Sequence, residues 1–319
     1  MPAGITVRPL REEDLPAADH IMRVAFGTFL GLPDPASFMG DAGYVRGRWY
    51  ADPSAAFGAF HEAADGVGLV GSNFATNWGS VGFFGPLTIH PEQWDRGVGR
   101  LLMEPVMGCF ERWKTAHAGL FTFASSPKHV GLYQKFGFWP RFLTAIVSKP
   151  VGSPGSTPGW TPLSSAPAGE YDAILRECRA LTDGIFPGLD VSREIRSVSA
   201  RTLGDTVVVR DGSRLAGFAV CHFGAGTEAG SATCYMKFGA ARAGPHAEDD
   251  FGRLLAACEE MASQRGLPRL TGGVSMARHE AYRAMLARGF RTDLQGVAMH
   301  RPNEPGYSRP GVYLIDDWR

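Results

Sequence analysis

Residues 86–102 have the sequence PLTIHPEQWDRGVGRLL, which predicts a short apolar strand, a tight loop with two glycines and the start of a helix. From Val98 onward, apolar side chains recur at helical spacing. The first amides of a helix have no partner inside it, and the helix dipole places partial positive charge at that end. Gly97 and Gly99 allow a ligand to approach the backbone closely. The stretch therefore predicts a phosphate or pyrophosphate site, although an ordinary strand-to-helix turn has the same pattern.

A second segment, residues 126–138, has the sequence SPKHVGLYQKFGF and follows a predicted strand at 121–124. Together the two segments resemble the acyl-CoA signature of the GNAT acetyltransferase superfamily. The loop pattern of that family is Gln/Arg-x-x-Gly-x-Gly/Ala, and residues 94–99 match it except at Trp94. Its later pattern is Asn-x-x-Ala-x-x-Leu-Tyr-x-x-x-Gly-Phe. Here the matching residues are Leu132, Tyr133, Gly137 and Phe138, and the departures are Ser126 and His129.

The resemblance covers residues 5–150 well and the rest of the chain more faintly. It implies a bound acetyl-CoA, or another acyl-CoA, whose pyrophosphate is held by the loop amides. The backbone of Leu87–Ile89 would pair with the pantetheine arm like an added strand, and one of its amides would stabilise an oxyanion. The predicted cofactor-binding residues are Leu87, Thr88, Ile89, Trp94, Asp95, Arg96, Gly97, Val98, Gly99, Arg100 and Ser126.

Tyr133 is the predicted catalytic residue. Because a phenol has a pKa of about 10, it keeps a proton at neutral pH that it can give to a departing thiolate. The alternative is a tyrosine that packs the helix on the sheet. The general base is left open, since an unprotonated amine needs little help. Its candidates are Glu62, His61, His90, His129, or a water held by Asn73, Asn77 and Ser126.

The composition excludes several other classes of protein. The 32 Lys and Arg residues balance 32 Asp and Glu residues, so no global field attracts nucleic acid or an anionic membrane. The five cysteines show no Cys-x-x-Cys spacing, which favours reduced thiols and predicts no metal site. The sequence has no signal-peptide core and no apolar run of membrane-spanning length. We therefore expect a cytoplasmic protein.

The strand and helix patterns predict an α/β protein of the α+β type. The expected domains are a catalytic acyl-CoA-binding domain at 1–150, a linker at 151–164 rich in Gly, Pro and Ser, and a degenerate copy at 165–319. Each domain is expected to have a mostly antiparallel mixed sheet flanked by helices. In the first domain, helices are predicted from about Arg11 to Phe26 and from Phe38 to Tyr50, and their aromatic residues either border the acceptor site or pack on the sheet.

Aligning the two halves indicates that the second has lost the site. Gly99 falls on Gly252, and Gly97 then falls on Asp250, with Asp249 beside it. Two carboxylates at this position would repel a pyrophosphate. Met285 stands where Tyr133 does. The second half is therefore interpreted as a degenerate copy that packs against or shapes the active site.

These observations predict an acetyl-CoA-dependent N-acetyltransferase that acts on a small-molecule or peptide amine. The alternative is a non-catalytic acyl-CoA-binding or regulatory protein, which the departures at Ser126 and His129 favour. A third interpretation is a structural tandem domain without a cofactor. The sequence does not identify the acceptor, the acyl group or the oligomeric state.

Overall fold

A computed structural model describes residues 4–63, 66–153, 155–167 and 169–319. In the first half, the strands and helices are β1 (Ile5–Pro9), α1 (Leu15–Phe29), α2 (Val45–Ala51), β2 (Ala56–Ala63), β3 (Gly66–Trp78), β4 (Val81–Phe84), β5 (Thr88–Ile89), α3 (Val98–Trp113), β6 (His117–Thr122), α4 (Pro127–Gln134) and β7 (Trp139–Pro150).

The second half repeats this order after residues 151–159, of which Pro154 lies outside the described part of the chain. Its elements are β8 (Trp160–Pro162), α5 (Tyr171–Asp183), α6 (Ser192–Ala200), β9 (Gly204–Asp211), β10 (Arg214–Gly224), β11 (Gly230–Ala241), α7 (Ala247–Gln264), β12 (Arg269–Ser275), α8 (His279–Ala287), β13 (Arg291–Arg301) and β14 (Leu314–Ile315).

The strand order is the same in both halves. The first half runs β1-β2-β3-β4-β6, and the second runs β8-β9-β10-β11-β12. In the described residues, β4 pairs with β6 and β11 pairs with β12 in parallel, and the other neighbours are antiparallel. The predicted fold class, a mostly antiparallel mixed sheet flanked by helices, is confirmed.

The final strand of each half lies in the sheet of the other half. β13 pairs with β6, with Val297 opposite Thr122, while β7 pairs with β12, with Val147 opposite Gly272. The two exchanged strands also pair with each other, which joins both halves into one continuous sheet. The predicted division into two domains at residues 151–164 stays a prediction. In the fold, β7 of the first half lies beside β12 of the second, and β13 of the second half lies beside β6 of the first.

The hydrophobic core is shared across the halves. One apolar cluster contains Trp78 and Phe83 of the first half together with Leu175 and Ile195 of α5 and α6. Another contains Tyr133 and residues of α3 together with Met299 of β13. Separating the halves would expose apolar surface from both, which is unfavourable at roughly 25 cal/mol per Å².

Two predicted helices have different bounds in the structure. The helix expected over 38–50 spans only Val45–Ala51, because Met39 and Gly40 have positive φ angles of 68° and 54° that a right-handed helix cannot contain. The helix expected to end near Phe26 continues to Phe29. Helix α3 runs without interruption from Val98 to Trp113, although Pro105 removes one backbone donor from it.

The last part of the chain after β13 is buried over residues 312–318, although residues 302–311 are rich in Pro and Gly and mostly exposed. Leu314 and Ile315 pair with β11 and are fully buried. Trp318 packs over β6 at Gly119, where an added Cβ would lie only 2.0 Å from the Trp318 ring. This segment therefore passes from the second half to the first, beneath the point where β4 and β6 cease to pair.

Candidate active site

The site begins at β5. One edge of this strand pairs with β3, where Thr88 lies opposite Ser72 and Ile89 lies opposite Gly71. Its other edge has no strand partner among the described residues, because the parallel pairing of β4 with β6 ends at Phe83–Gly119. An open edge of this kind presents main-chain donors and acceptors to a ligand that lies along it.

The loop after β5 presents a row of main-chain amides. Within the described part of the chain, the amides of residues 95–99 have no hydrogen-bond partner, as expected at the start of α3. The amide of Arg100 donates to the Gly97 carbonyl at 3.1 Å, so it is already satisfied within the protein. The available amides thus end one residue earlier than the predicted range of 95–100.

The two glycines of the loop have separate structural reasons. Gly97 has a φ angle of 79°, a left-handed conformation that glycine adopts without strain. Gly99 packs closely, since an added Cβ would lie 3.3 Å from both Ile89 Cδ1 and Leu132 Cδ2. One glycine therefore permits the turn, and the other permits α3 to approach the strand and α4.

Trp94 has a structural role in this loop. Its indole Nε1 donates to the Ile89 carbonyl at 2.8 Å, which ties the loop to the end of β5. A Gln or Arg at this position, as in the family pattern, also carries a donor. The loop therefore has a side-chain hydrogen bond to β5 even though Trp94 replaces the Gln or Arg of the family pattern.

Lys128 is a site residue that sequence reasoning missed. Its Nζ lies 2.6 Å from Asp95 Oδ1 and 5.6 Å from the centre of the Trp94 ring, at the mouth of the loop. Both charged side chains are exposed, so the pair itself contributes little stability. Its position beside the unbonded amides adds positive charge for an anion. No spacing in the sequence relates Lys128 to Asp95.

A single groove of about 670 Å³ runs along these elements. It is lined by the predicted residues Leu87–Ile89, Trp94, Asp95, Gly97–Arg100, Ser126 and Tyr133. Arg96 is exposed and does not line the groove. The Ser126 hydroxyl accepts a hydrogen bond from the His129 amide at 3.5 Å, so it also caps α4.

Aromatic side chains form one wall of the groove. Phe26 and Phe29 of α1 line it, and Phe29 lies 4.9 Å from Phe123 and 5.2 Å from the His129 ring, measured between ring centres. The sequence left open whether the aromatic residues of α1 pack on the sheet or face a ligand. These two do face the groove.

Tyr133 lies on α4 and is 7 % exposed. Its ring packs against Phe84 at a centre-to-centre distance of 5.5 Å. Burial raises the pKa of the Tyr133 phenol well above its ordinary value, and a hydrogen bond with Thr122 offsets this only in part. The hydroxyl is therefore protonated at neutral pH, as a general acid requires.

The candidates for the general base lie in different places. His61 and Glu62 are on β2 beside the edge strand β1, and neither lines the groove. Asn73 donates to the Leu102 carbonyl at 3.3 Å, and Asn77 accepts from the Gly79 amide at 2.7 Å. Both asparagines are thus engaged with the backbone.

His129 lies in the groove, and His90 lies at the turn after β5, with its amide bonded to Val70. Burial, followed by the Lys128 charge, lowers the pKa of His129. Its imidazole is therefore neutral at pH 7 and can accept a proton. Among the side chains proposed as a base, His129 is the one that the groove contains.

The part of the chain that forms the groove is also similar to known proteins. Residues 28–138 match the model of the acetyltransferase (GNAT) family, and this range contains the strand, the glycine loop and Tyr133. This match indicates acyltransferase chemistry with an acyl-CoA donor for that part of the chain. No curated protein is significantly similar in sequence to the chain.

Similarity of fold to solved structures extends beyond residues 28–138. A candidate acetyltransferase from Pyrococcus horikoshii matches with a TM-score of 0.70 at 14 % identity, over 99 % of this chain and 95 % of that chain. A GCN5-related N-acetyltransferase from Sphaerobacter thermophilus gives 0.60 at 16 % identity, over 94 % and 96 %. N-myristoyltransferase from Saccharomyces cerevisiae gives 0.60 at 10 % identity, over 93 % and 80 %. At these identities the similarity shows the fold alone.

Among the described residues, none of the helices is both long enough and apolar enough to cross a membrane.

Proposed function

We propose that the chain is an acetyl-CoA-dependent N-acyltransferase whose active site lies in the first half. The observation that carries this proposal is the continuous groove that is lined both by the loop with the unbonded amides, at Asp95 and Gly97–Gly99, and by the side chain of Tyr133. One end suits an anion and the other holds a proton donor. A thioester donor that carries a diphosphate has both requirements.

The fit to an acyl-CoA rests on three features of the groove. The amides of residues 95–99 and the Lys128 ammonium suit the diphosphate. The open edge of Leu87–Ile89 suits the amide-containing pantetheine arm, as an added strand. Phe26 and Phe29 provide an apolar wall beside it. When bound, the donor supplies an acyl group activated as a thioester.

The residues of the chain then have separate tasks. A main-chain amide of Leu87–Ile89 stabilises negative charge on the acyl oxygen. Tyr133 gives its proton to the departing thiolate, and His129 is the groove side chain able to take a proton from the amine. The aromatic wall and the buried Tyr133 exclude bulk water from the reacting atoms.

The first test is incubation with acetyl-CoA and a panel of small-molecule and peptide amines, with release of free thiol as the readout. Turnover on at least one amine is expected. Binding of acetyl-CoA without turnover on any acceptor would instead favour a non-catalytic acyl-CoA-binding protein. No binding in calorimetry would contradict the proposal.

The role of Tyr133 is tested by Tyr133→Phe, which removes the hydroxyl and keeps the ring packed on Phe84. We expect kcat to fall by about 100-fold, the lower end for loss of a general acid, with the dissociation constant of acetyl-CoA within about twofold. Tyr282→Phe is the matched control, because Tyr282 lies on α8 and its hydroxyl contacts Thr292 at 3.2 Å. Unchanged turnover in Tyr133→Phe would remove the assigned role.

A further inference from the structure

A buried arginine connects the reaction strand to the second half. Arg48 of α2 has a side chain only 3 % exposed. Its guanidinium donates to the carbonyl of Gly85, to the main-chain oxygen of Arg319 and, at 3.1 Å, to Glu228 Oε1. One side chain thus contacts the first half, the loop before β11 and the buried terminal segment.

Gly85 is the contact that matters for the reaction. It lies between β4 and β5, directly before Pro86 and the segment Leu87–Ile89 that lines the groove. Its amide donates to the Phe74 carbonyl at 2.8 Å, and its carbonyl accepts from Arg48. With a φ angle of 143°, Gly85 has a conformation that other residues rarely adopt. The main chain entering the reaction strand is therefore held from both sides.

Glu228 in turn belongs to a chain of buried charges. Lys237 of β11 donates to Glu228 at 2.9 Å and to Glu194 of α6 at 2.9 Å, and the side chains of this chain of charges are at most 7 % exposed. Burial acts to raise the pKa of Glu228, but the charges of Lys237 and Arg48 outweigh it and hold the pKa at about 2. Glu228 is therefore anionic at neutral pH, and together with Glu194 it balances the charges of Arg48 and Lys237.

We propose that Arg48 is a positioning residue for the segment Gly85–Ile89, and that Glu228 of the second half holds Arg48 in that position. The inference rests on the proposed function, because it assigns the degenerate half a task in the same reaction. The second half supplies a fixed carboxylate instead of a second cofactor site. Arg48 does not touch the donor groove, since it is not among the residues that line it.

The test compares Glu228→Gln with Asp250→Asn. Both substitutions neutralise a carboxylate of the second half that is buried and paired with cations, but Asp250 contacts Arg214 and Arg253 and not Arg48. In Glu228→Gln we expect kcat to fall at least tenfold while the dissociation constant of acetyl-CoA stays within twofold. Asp250→Asn should keep both values within twofold. Arg48→Lys should behave as Glu228→Gln, because an ammonium cannot reach all the partners of a guanidinium.

Amide hydrogen exchange provides a readout that does not depend on activity. Exchange at Gly85 and Leu87–Ile89 should be faster in Glu228→Gln than in wild type, and unchanged in Asp250→Asn. The inference is overturned if Glu228→Gln matches the control in both kcat and exchange. It is also overturned if donor affinity and melting temperature fall together with kcat, which would indicate a merely structural role. If wild type binds no donor, the proposed function fails, and unchanged exchange at these amides separately overturns the positioning role.

Discussion

The two halves share one fold but differ at the start of α3 and of its counterpart α7. In the first half, α3 begins after Gly97 and leaves the amides of residues 95–99 unbonded. In the second half, the first turn of α7 contains Glu248, Asp249 and Asp250. Asp250 is buried and bonded to Arg253 at 2.6 Å and to Arg214 at 3.0 Å. The start of α3 thus presents unbonded amides, whereas the start of α7 carries its own anions.

The strand edges before these two helices also differ, because one is open and the other is paired. When Gly252 is aligned with Gly99, residues 239–240 of β11 correspond to residues 86–87 in the first half. The first half leaves the edge beside β5 open, whereas Gly239 and Ala240 pair with Ile315 and Leu314 of the chain itself. β14 therefore occupies the place that we propose for the pantetheine arm in the first half. Within the described residues, the two halves share their packing, and the first has an open strand edge beside unbonded amides.

The largest expected effect comes from making the first loop resemble the second. Gly97→Asp places a carboxylate where Asp250 stands, and a unit charge about 4 Å from a phosphate is worth about 4 kcal/mol at an effective dielectric of about 20. We expect the dissociation constant of acetyl-CoA to rise at least 100-fold, measured by calorimetry. Gly97→Asn is the matched control, because it has the same shape, tolerates the left-handed conformation and carries no charge.

Equal losses in the two Gly97 variants would show that conformation, and not charge, decides binding. That result would contradict an electrostatic origin for the loss of the site in the second half.

The next effect concerns β6 and β13, two paired strands at which the halves meet in the sheet. His117 of β6 and His300 of β13 are buried, with Nε2 of His117 2.9 Å from Nδ1 of His300. Burial lowers the pKa of His117 to about 4 and that of His300 to about 3, the latter also through the His117 charge. Because both pKa values lie below the unfolded value of about 6.5, the unfolded chain binds more protons in acid. The free energy of unfolding should fall by about 2 kcal/mol per imidazole between pH 6.5 and pH 5.

Chemical denaturation at several pH values measures this dependence. His117→Gln should reduce the slope of the free energy of unfolding against pH, whereas His20→Gln, at an exposed position of α1, should leave it unchanged. A slope that is the same in all three proteins would exclude the histidine pair as its origin.

The smallest effect is expected at Lys128, whose ammonium is exposed beside the loop. Lys128→Met removes the positive charge beside the loop amides, and an exposed charge of this kind is worth about 1 kcal/mol, or roughly fivefold in the dissociation constant. The difference between variant and wild type should largely vanish at about 1 M salt, because charges at the surface are then screened. A loss that is independent of salt would indicate that Lys128 acts through packing on Trp94.

One side of the groove was predictable because its residues, Leu87–Arg100, are close together in sequence. Leu87–Ile89 and the loop at 94–100 form one continuous stretch, and the packing of α4 brings Tyr133 beside it. Glycine spacing and helical periodicity are local signals that specify a strand, a turn and a helix start. The sequence shows Trp94 in place of the usual Gln or Arg, but its hydrogen bond to the Ile89 carbonyl is visible only in the loop geometry.

The strand exchange and the buried network were not predictable in this way. Alternation of apolar residues in β7 and β13 predicts strands but does not name their neighbours in a sheet. The segment after β13 has turn-forming composition, yet Leu314 and Trp318 bury their side chains. Arg48 has the sequence context of a solvated helix residue, and its partner Glu228 is 180 positions away. Such pairings arise only from tertiary structure.

A crystal structure of the chain with acetyl-CoA would show whether the loop amides of the first half hold the donor. The diphosphate oxygens are expected to accept hydrogen bonds from main-chain amides within residues 95–99, with the pantetheine arm along Leu87–Ile89. A donor bound instead beside Asp249 and Asp250, or a diphosphate that contacts none of the amides of residues 95–99, would contradict this assignment.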